Sequence, residues 1–213
     1  MDEKNLKKTG TTTVCIYCKD GIIMAADKRA TAGHFIANKK VEKVFPISKN
    51  IAITIAGLVS DAQLLTKYIK AEIKLREVKT GRQITVKETA NLLASMSYSN
   101  IRNFSAVPGI VGFLVGGYDV DGFASYEIGV DGSLTEIDEY ASDGSGSLFA
   151  YAVLEDKYKK DITTVDAEKL AINALEIAQK RDSASGNGYD VVKITEKGVE
   201  KIASYQYDAK LLH

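Results

Sequence analysis

Thr11-Thr12-Thr13-Val14-Cys15-Ile16-Tyr17-Cys18-Lys19-Asp20-Gly21-Ile22-Ile23-Met24-Ala25-Ala26 is the stretch from which the fold is read. Val14 to Lys19 alternates as a half-buried strand does, Asp20-Gly21 is a two-residue hairpin turn, and Ile22 to Ala26 is a second apolar strand. A short charged leader, Met1 to Lys8, and the pair Thr9-Gly10 precede this hairpin. The threonines have two readings. β-Branched side chains suit a pleated surface, so the run serves as strand material. Alternatively, Thr11 is a nucleophile. A threonine hydroxyl needs a base within hydrogen-bond reach, and one base is the residue's own amine, freed by cutting the chain before it. Gly10-Thr11 is therefore a candidate self-processing junction.

Working outward, the chain has 213 residues, 45% hydrophobic and 26% charged, enough for one sizeable core in a single domain. Lysine plus arginine equals aspartate plus glutamate at 28 each, so no charge bias points to nucleic acid. No signal-like run of about 7 or more apolar residues follows the leader, and no segment reaches the ~18 residues that span a bilayer. A cytoplasmic protein without membrane contact is expected. Cys15 and Cys18 form a C-x-x-C, but strand residues three apart point to opposite faces and no second pair exists, so two buried thiols are expected in place of a metal or redox site. The histidines are His34 and His213, which leaves a Ser-His-Asp or Cys-His site poorly supplied. No phosphate-binding glycine motif occurs.

Two further hairpins are predicted, from Val41 to Ile47 with Ile51 to Ala56, and from Ile110 to Tyr118 with Phe123 to Val130, the latter after a break at Pro108-Gly109. Between them, Leu65, Ile69 and Ile73 recur at helical spacing within 60–78, closed by Thr80-Gly81. Thr85 and Glu88 form a capping box for a second helix carrying Leu92, Leu93 and Met96. Helices over 147–158 and 165–181, the second capped by Thr163 or Thr164, precede strands over 189–195 and 199–203. Strands, two helices, strands, two helices, strands is not the alternation of a parallel doubly wound sheet. The order predicts an α+β fold, a four-layer αββα sandwich of two antiparallel sheets flanked by helix pairs, with the first strand central and its amino end open to a cleft.

Six strings occur in the order and spacing of archaeal-type proteasome β subunits: Thr11-Thr12-Thr13-Val14; Asp27-Lys28-Arg29-Ala30-Thr31; the lysine before Val44-Phe45; Thr54-Ile55-Ala56-Gly57-Leu58-Val59-Ser60-Asp61-Ala62-Gln63; Gly144-Ser145-Gly146-Ser147; and Arg181-Asp182-Ser183-Ala184-Ser185-Gly186. The chain resembles that family of amino-terminal nucleophile hydrolases over nearly its whole length. The resemblance implies that residues 1–10 are a propeptide removed by autocatalysis and that 11–213 form one catalytic domain. It makes Thr11 the nucleophile, Lys43 the lysine that lowers the amine's pKa, and Asp27 the acid that keeps this lysine charged and oriented. Ser145, Asp182 and Ser185 match residues that hydrogen-bond around the amine; their local alternatives are helix caps and a turn. Gly57 matches the backbone donor to the oxyanion. Ala30, Val41, Ile55 and Val59 fall around the pocket for the side chain before the cut, which predicts a preference for hydrophobic residues, and Thr31 falls where extended substrate binds through its main chain.

The implied reaction is endopeptidic hydrolysis of unfolded polypeptide through an ester intermediate, with no metal or organic cofactor. The implied partners are other β subunits in a heptameric ring, α-subunit rings and a regulatory ATPase ring. Two positions depart from the family's pattern: Cys15 replaces the usual glycine, which would put a thiol near the site and bear on processing, and Asp143 stands where threonine is common, adding a charge that would raise the amine's pKa. A catalytically silent or slowly processed structural β subunit is the alternative, and an amidase of the same superfamily is a third reading.

Overall fold

The opening hairpin forms as its sequence dictates. In the computed structural model, which describes residues 10–103 and 109–207, β1 (Thr13–Cys18) pairs antiparallel with β2 (Gly21–Asp27), from Thr13 opposite Ala26 to Cys18 opposite Gly21. The leader Met1 to Lys8, Thr9, Pro108 and His213 lie outside the described residues. A short hairpin, β3 (Ala30–Ala32) and β4 (Phe35–Asn38), follows, and then β5 (Val44–Pro46) and β6 (Ile51–Gly57). Helices α1 (Val59–Thr80) and α2 (Val86–Arg102) come next. Strands β7 (Val111–Asp119), β8 (Gly122–Ile128), β9 (Leu134–Glu136) and β10 (Tyr140–Asp143) lead to α3 (Ser147–Lys157) and α4 (Thr164–Arg181). Strands β11 (Gly188–Thr195) and β12 (Gly198–Gln206) complete the described chain.

One sheet runs β10-β1-β2-β11-β12 and the other β5-β6-β7-β8-β9, with every pairing antiparallel. Three apolar clusters define the layers. Ile51, Ile53 and Ile55 of β6 pack with Leu65, Ile69 and Leu93 under α1 and α2. Val14, Ile16 and Ile23 of the first sheet pack with Leu154, Leu170 and Leu175 under α3 and α4. Cys15, Ile22, Met24, Ala52, Leu114 and Val192 fill the seam between the sheets. Alternate residues of β1 therefore enter two different cores, the period-2 consequence of a strand buried on both faces. The result is the expected four-layer α+β sandwich.

The helix ends follow local chemistry. Thr85 and Glu88 form the capping box, with Glu88 N–H donating to Thr85 Oγ1 at 3.1 Å and Thr85 N–H to Glu88 Oε2 at 2.9 Å. Thr163 Oγ1 accepts from Asp166 N–H at 3.2 Å, so Thr163 is the cap of α4. The strand expected from Val41 is shorter, because Val41 N–H turns away to Lys28 O at 3.0 Å and only Val44–Pro46 pairs. Strands β3, β4, β9 and β10 were not expected; at three or four residues they are too short to carry a period-2 signal. No helix among the described residues is long and apolar enough to cross a membrane.

Cys15 lies in the seam and Cys18 under the helices, so the two thiols face apart. Burial pushes both up to about 12. Neither is expected to react with an aromatic disulfide reagent at pH 8 until the protein is unfolded; rapid labelling of the native chain would contradict this packing. Cys15→Gly is expected to cost about 2 kcal/mol in a denaturant titration, from the emptied volume and the added backbone freedom.

Candidate active site

The site is assembled where five chain segments converge at one end of the seam. Thr11 lies just before β1, Asp27 ends β2, and Lys43 comes just before β5. Ser145 is in the turn from β10 to α3; Asp182 caps α4 and Ser185 follows it in the loop to β11. Thr11, Asp27 and Lys43 are 4%, 1% and 3% exposed.

Lys43 Nζ is the hub. It donates to Asp27 Oδ1 at 2.7 Å, to Thr11 Oγ1 at 3.0 Å and, more weakly, to Gly10 O at 3.5 Å, so all three ammonium donors are directed at oxygen. Thr11 Oγ1 in turn donates to Gly10 O at 2.7 Å. Burial lowers the Lys43 pKa below its ordinary 10.5, with a smaller lowering by Arg29; Asp27 and, at longer range, Asp182 oppose this and leave a net depression. Lysine thus gives up its proton more readily here than in water, with Asp27 acting to retain it.

Asp27 has more work than Lys43 alone would give it. Its Oδ1 also accepts from Thr12 N–H at 3.0 Å, while Oδ2 accepts from Arg29 N–H and Gly186 N–H, both at 2.9 Å. One buried carboxylate therefore ties β1, the end of β2 and the loop after α4 to the lysine. A second circuit runs on the other side of Thr11. Thr11 N–H donates to Ser145 Oγ at 3.3 Å, Ser145 Oγ–H donates to Asp182 Oδ2 at 2.6 Å, and Ser185 Oγ–H donates to the same oxygen at 2.7 Å. Thr12 Oγ1 lies 2.7 Å from Ser185 Oγ.

All five residues expected around Thr11 are thus brought with it into one hydrogen-bonded network. Of the others, Thr31 joins it by accepting from Gly10 N–H at 3.1 Å through its side chain. Ile55 N–H holds Lys43 O at 3.0 Å, while its side chain is closed into the core under α1. Ala30 and Val41 are half-buried, as is Val59 at the start of α1. Gly57 ends β6 with φ of 129°, and a Cβ there would meet Ile110 O at 2.1 Å, so glycine is required by both conformation and space.

Arg29 and Thr12 escaped the sequence reading. The Arg29 guanidinium donates to Asn187 Oδ1 at 2.8 Å and Ser183 O at 2.7 Å, clamping the loop that carries Ser185. Its place two residues after Asp27 was the only available signal. The two departures from pattern also read differently in three dimensions. The Cys15 side chain is in the seam, packed away from Thr11, so no reactive thiol is added to the site. The Asp143 carboxylate accepts from Gly144 N–H at 2.6 Å and points at β7, where a Cβ on Gly112 would lie 2.2 Å from its Oδ2. Burial raises the Asp143 pKa.

The arrangement joins a hydroxyl, an amine eased toward its neutral form and a peptide carbonyl one residue away, which are the ingredients of acyl transfer to oxygen. The antiparallel sandwich between helix pairs thus carries a threonine and a lysine joined at its seam. The profile described as "Proteasome subunit" matches residues 7–194, and the chain belongs to the proteasome subunit family, on its β branch. It is 46% identical to proteasome subunit beta of Ferroglobus placidus over 203 residues, 95% of this chain and 94% of that protein. It is 44% identical to the one from Archaeoglobus fulgidus over 196 residues, 92% and 90% of the two chains, and 46% identical to that of Methanocorpusculum labreanum over 208 residues, 95% and 96%.

Asp27→Ala leaves a buried ammonium and three backbone donors without their acceptor; an equilibrium unfolding titration is expected to show a loss of about 3–5 kcal/mol. Asp143→Asn should act the other way. A carboxyl whose folded pKa is raised binds protons more readily in the native state, so stability falls as pH rises through that window. The variant is expected to melt a few degrees above the parent at pH 7, with the gain fading below the ordinary carboxyl value of 3.8.

Proposed function

We propose that this β subunit is an active threonine endopeptidase of the proteasome core particle, made by removal of residues 1–10 and using Thr11 as its nucleophile. Membership of the family gives the broader class, a peptidase subunit that works in an assembled particle. The observation that carries the finer reading is the 3.0 Å contact from Lys43 Nζ to Thr11 Oγ1, within a network that retains Asp27, Ser145, Asp182 and Ser185.

The proposed reaction has two stages. While Gly10 is attached, the Thr11 nitrogen is an amide and has no basic lone pair. Lys43, with its lowered pKa, is then the group within reach of the hydroxyl that is able to take its proton. Attack on the Gly10 carbonyl carbon forms the C–O bond and breaks the C–N bond; the leaving nitrogen gains the proton, and water later cleaves the ester. Gly10 suits this approach because a side chain would collide: its Cβ would fall 1.8 Å from Ala184 Cβ and 2.9 Å from Ser145 Oγ. After cleavage the Thr11 amine, beside Ser145, serves as base for added substrates, and Lys43 stabilises its neutral form. Gly57 offers the oxyanion donor, and Ala30, Val41, Ile55 and Val59 favour an apolar side chain before the cut. Thr31 steers extended substrate. The partners are further β subunits in a seven-membered ring, α rings and an ATPase ring feeding unfolded polypeptide; no metal or organic cofactor takes part.

Intact-mass measurement after co-expression with a matching α subunit tests the reading. The parent should lose the mass of residues 1–10, Thr11→Ala should keep it, and Lys43→Ala should fold yet turn over peptides at least about a hundredfold more slowly. A full-length parent in an assembled particle would favour the silent structural subunit. Because neutral Lys43 is the base for the first cut, the rate of leader loss should rise with pH, along a limb below lysine's ordinary 10.5. A rate flat with pH would exclude this role.

A further inference from the structure

Outside the site, β12 carries a β-bulge that redirects a charged side chain. Val191 of β11 faces Ala203, but the next residue, Val192, faces Lys201, so Ile202 is the extra residue. In regular register Lys201 would share a face with Lys193; with Ile202 inserted it shares the seam-side face of Asp190, Val192 and Ser204. Ile202 and Ala203 both pack toward the helix-side core, as the two residues of a bulge do.

What Lys201 reaches there is a chain of charges. Its Nζ lies 2.9 Å from Glu42 Oε1 and 3.1 Å from Asp190 Oδ1. Lys28 Nζ lies 3.0 Å from the same Asp190 oxygen and donates to Ser204 Oγ at 2.9 Å. Asp190 is buried, with its side chain 3% exposed. The ends of the chain fall next to the site in sequence. Lys28 follows Asp27, and Glu42 precedes Lys43. The two segments also touch directly, through Val41 N–H to Lys28 O at 3.0 Å. An outer series Lys28–Asp190–Lys201–Glu42 thus parallels the inner pair Asp27–Lys43, anchored to β11 and β12.

We propose that Lys201, turned inward by the bulge, is a positioning residue that sets the distance between the Asp27 and Lys43 segments and so the aim of Lys43 at Thr11. This rests on the proposed role of Lys43. Lys201 and Glu42 are partly exposed, so their pairing adds little stability; its effect is geometric, and a shift of about 1 Å in a reacting group is enough to slow chemistry by about a hundredfold.

The test uses assembled particles containing Lys201→Met, Lys201→Arg, Glu42→Gln, the Lys201→Met/Glu42→Gln double variant, and Lys43→Ala. For hydrolysis of a short peptide with an apolar residue before the cut, Lys201→Met should lower kcat about tenfold with KM within about twofold. Lys201→Arg should restore most of the loss, and adding Glu42→Gln to Lys201→Met should change little further, because both interrupt one series. Glu42 lies at the exposed rim, so Glu42→Gln reports even if Lys201→Met assembles poorly. Unchanged kcat in Lys201→Met and Glu42→Gln alongside an inactive Lys43→Ala would overturn the positioning role alone. An active Lys43→Ala would overturn the underlying mechanism and this inference with it.

Discussion

The Asp27 carboxylate is the constraint from which the rest of the site follows. A carboxylate at 1% exposure is tolerable only when its oxygens are fully engaged, and here four donors do this: Lys43 Nζ and the N–H groups of Thr12, Arg29 and Gly186. Three of those donors are backbone. They fix where β1 begins, where β2 ends and how the loop after α4 returns. Lys43 is held in turn, and its remaining donors can point only at Thr11 and Gly10. The same oxygen that locates the lysine opposes its loss of a proton, while burial favours that loss. The site is a balance between these two effects, struck within one ion pair.

The fold was legible because its signals are local and periodic. Asp20-Gly21, the Thr85–Glu88 box and the Thr163 cap each form as their chemistry requires. The order of strands and helices gave the layers. The network around Thr11 was legible through the spacing of short strings, since neither Asp27 nor Lys43 announces itself by residue type. What escaped had no local signal. β9 and β10 exist because a neighbouring strand offers them partners. The roles of Arg29 and Thr12 depend on a loop more than 150 residues away in the chain. For Cys15 and Asp143 the sequence located each residue near Thr11, yet the pleat decides which face a strand residue occupies, and both turned toward the seam.

The four layers differ in what they ask of their residues. In the seam, small side chains such as Ala26, Ala52 and Ala141 alternate with Ile22, Met24 and Leu114, and the two sheets meet closely. The outer cores are filled by aliphatic stripes of the helices against each sheet. Thr11 lies at the end of the seam and is reached by segments from both sheets, so its geometry is set by close-packed neighbours on either side.

Separate cores also divide labour. The outward faces of the helices, which display Tyr68, Val78, Leu148 and Val165 to solvent, share no packed interior with the seam. A change on those faces is absorbed one layer away from the sheets. The laminate therefore uncouples its outer surfaces from its seam: the former can be remodelled while the 3.0 Å spacing between Lys43 and Thr11 is left as it was.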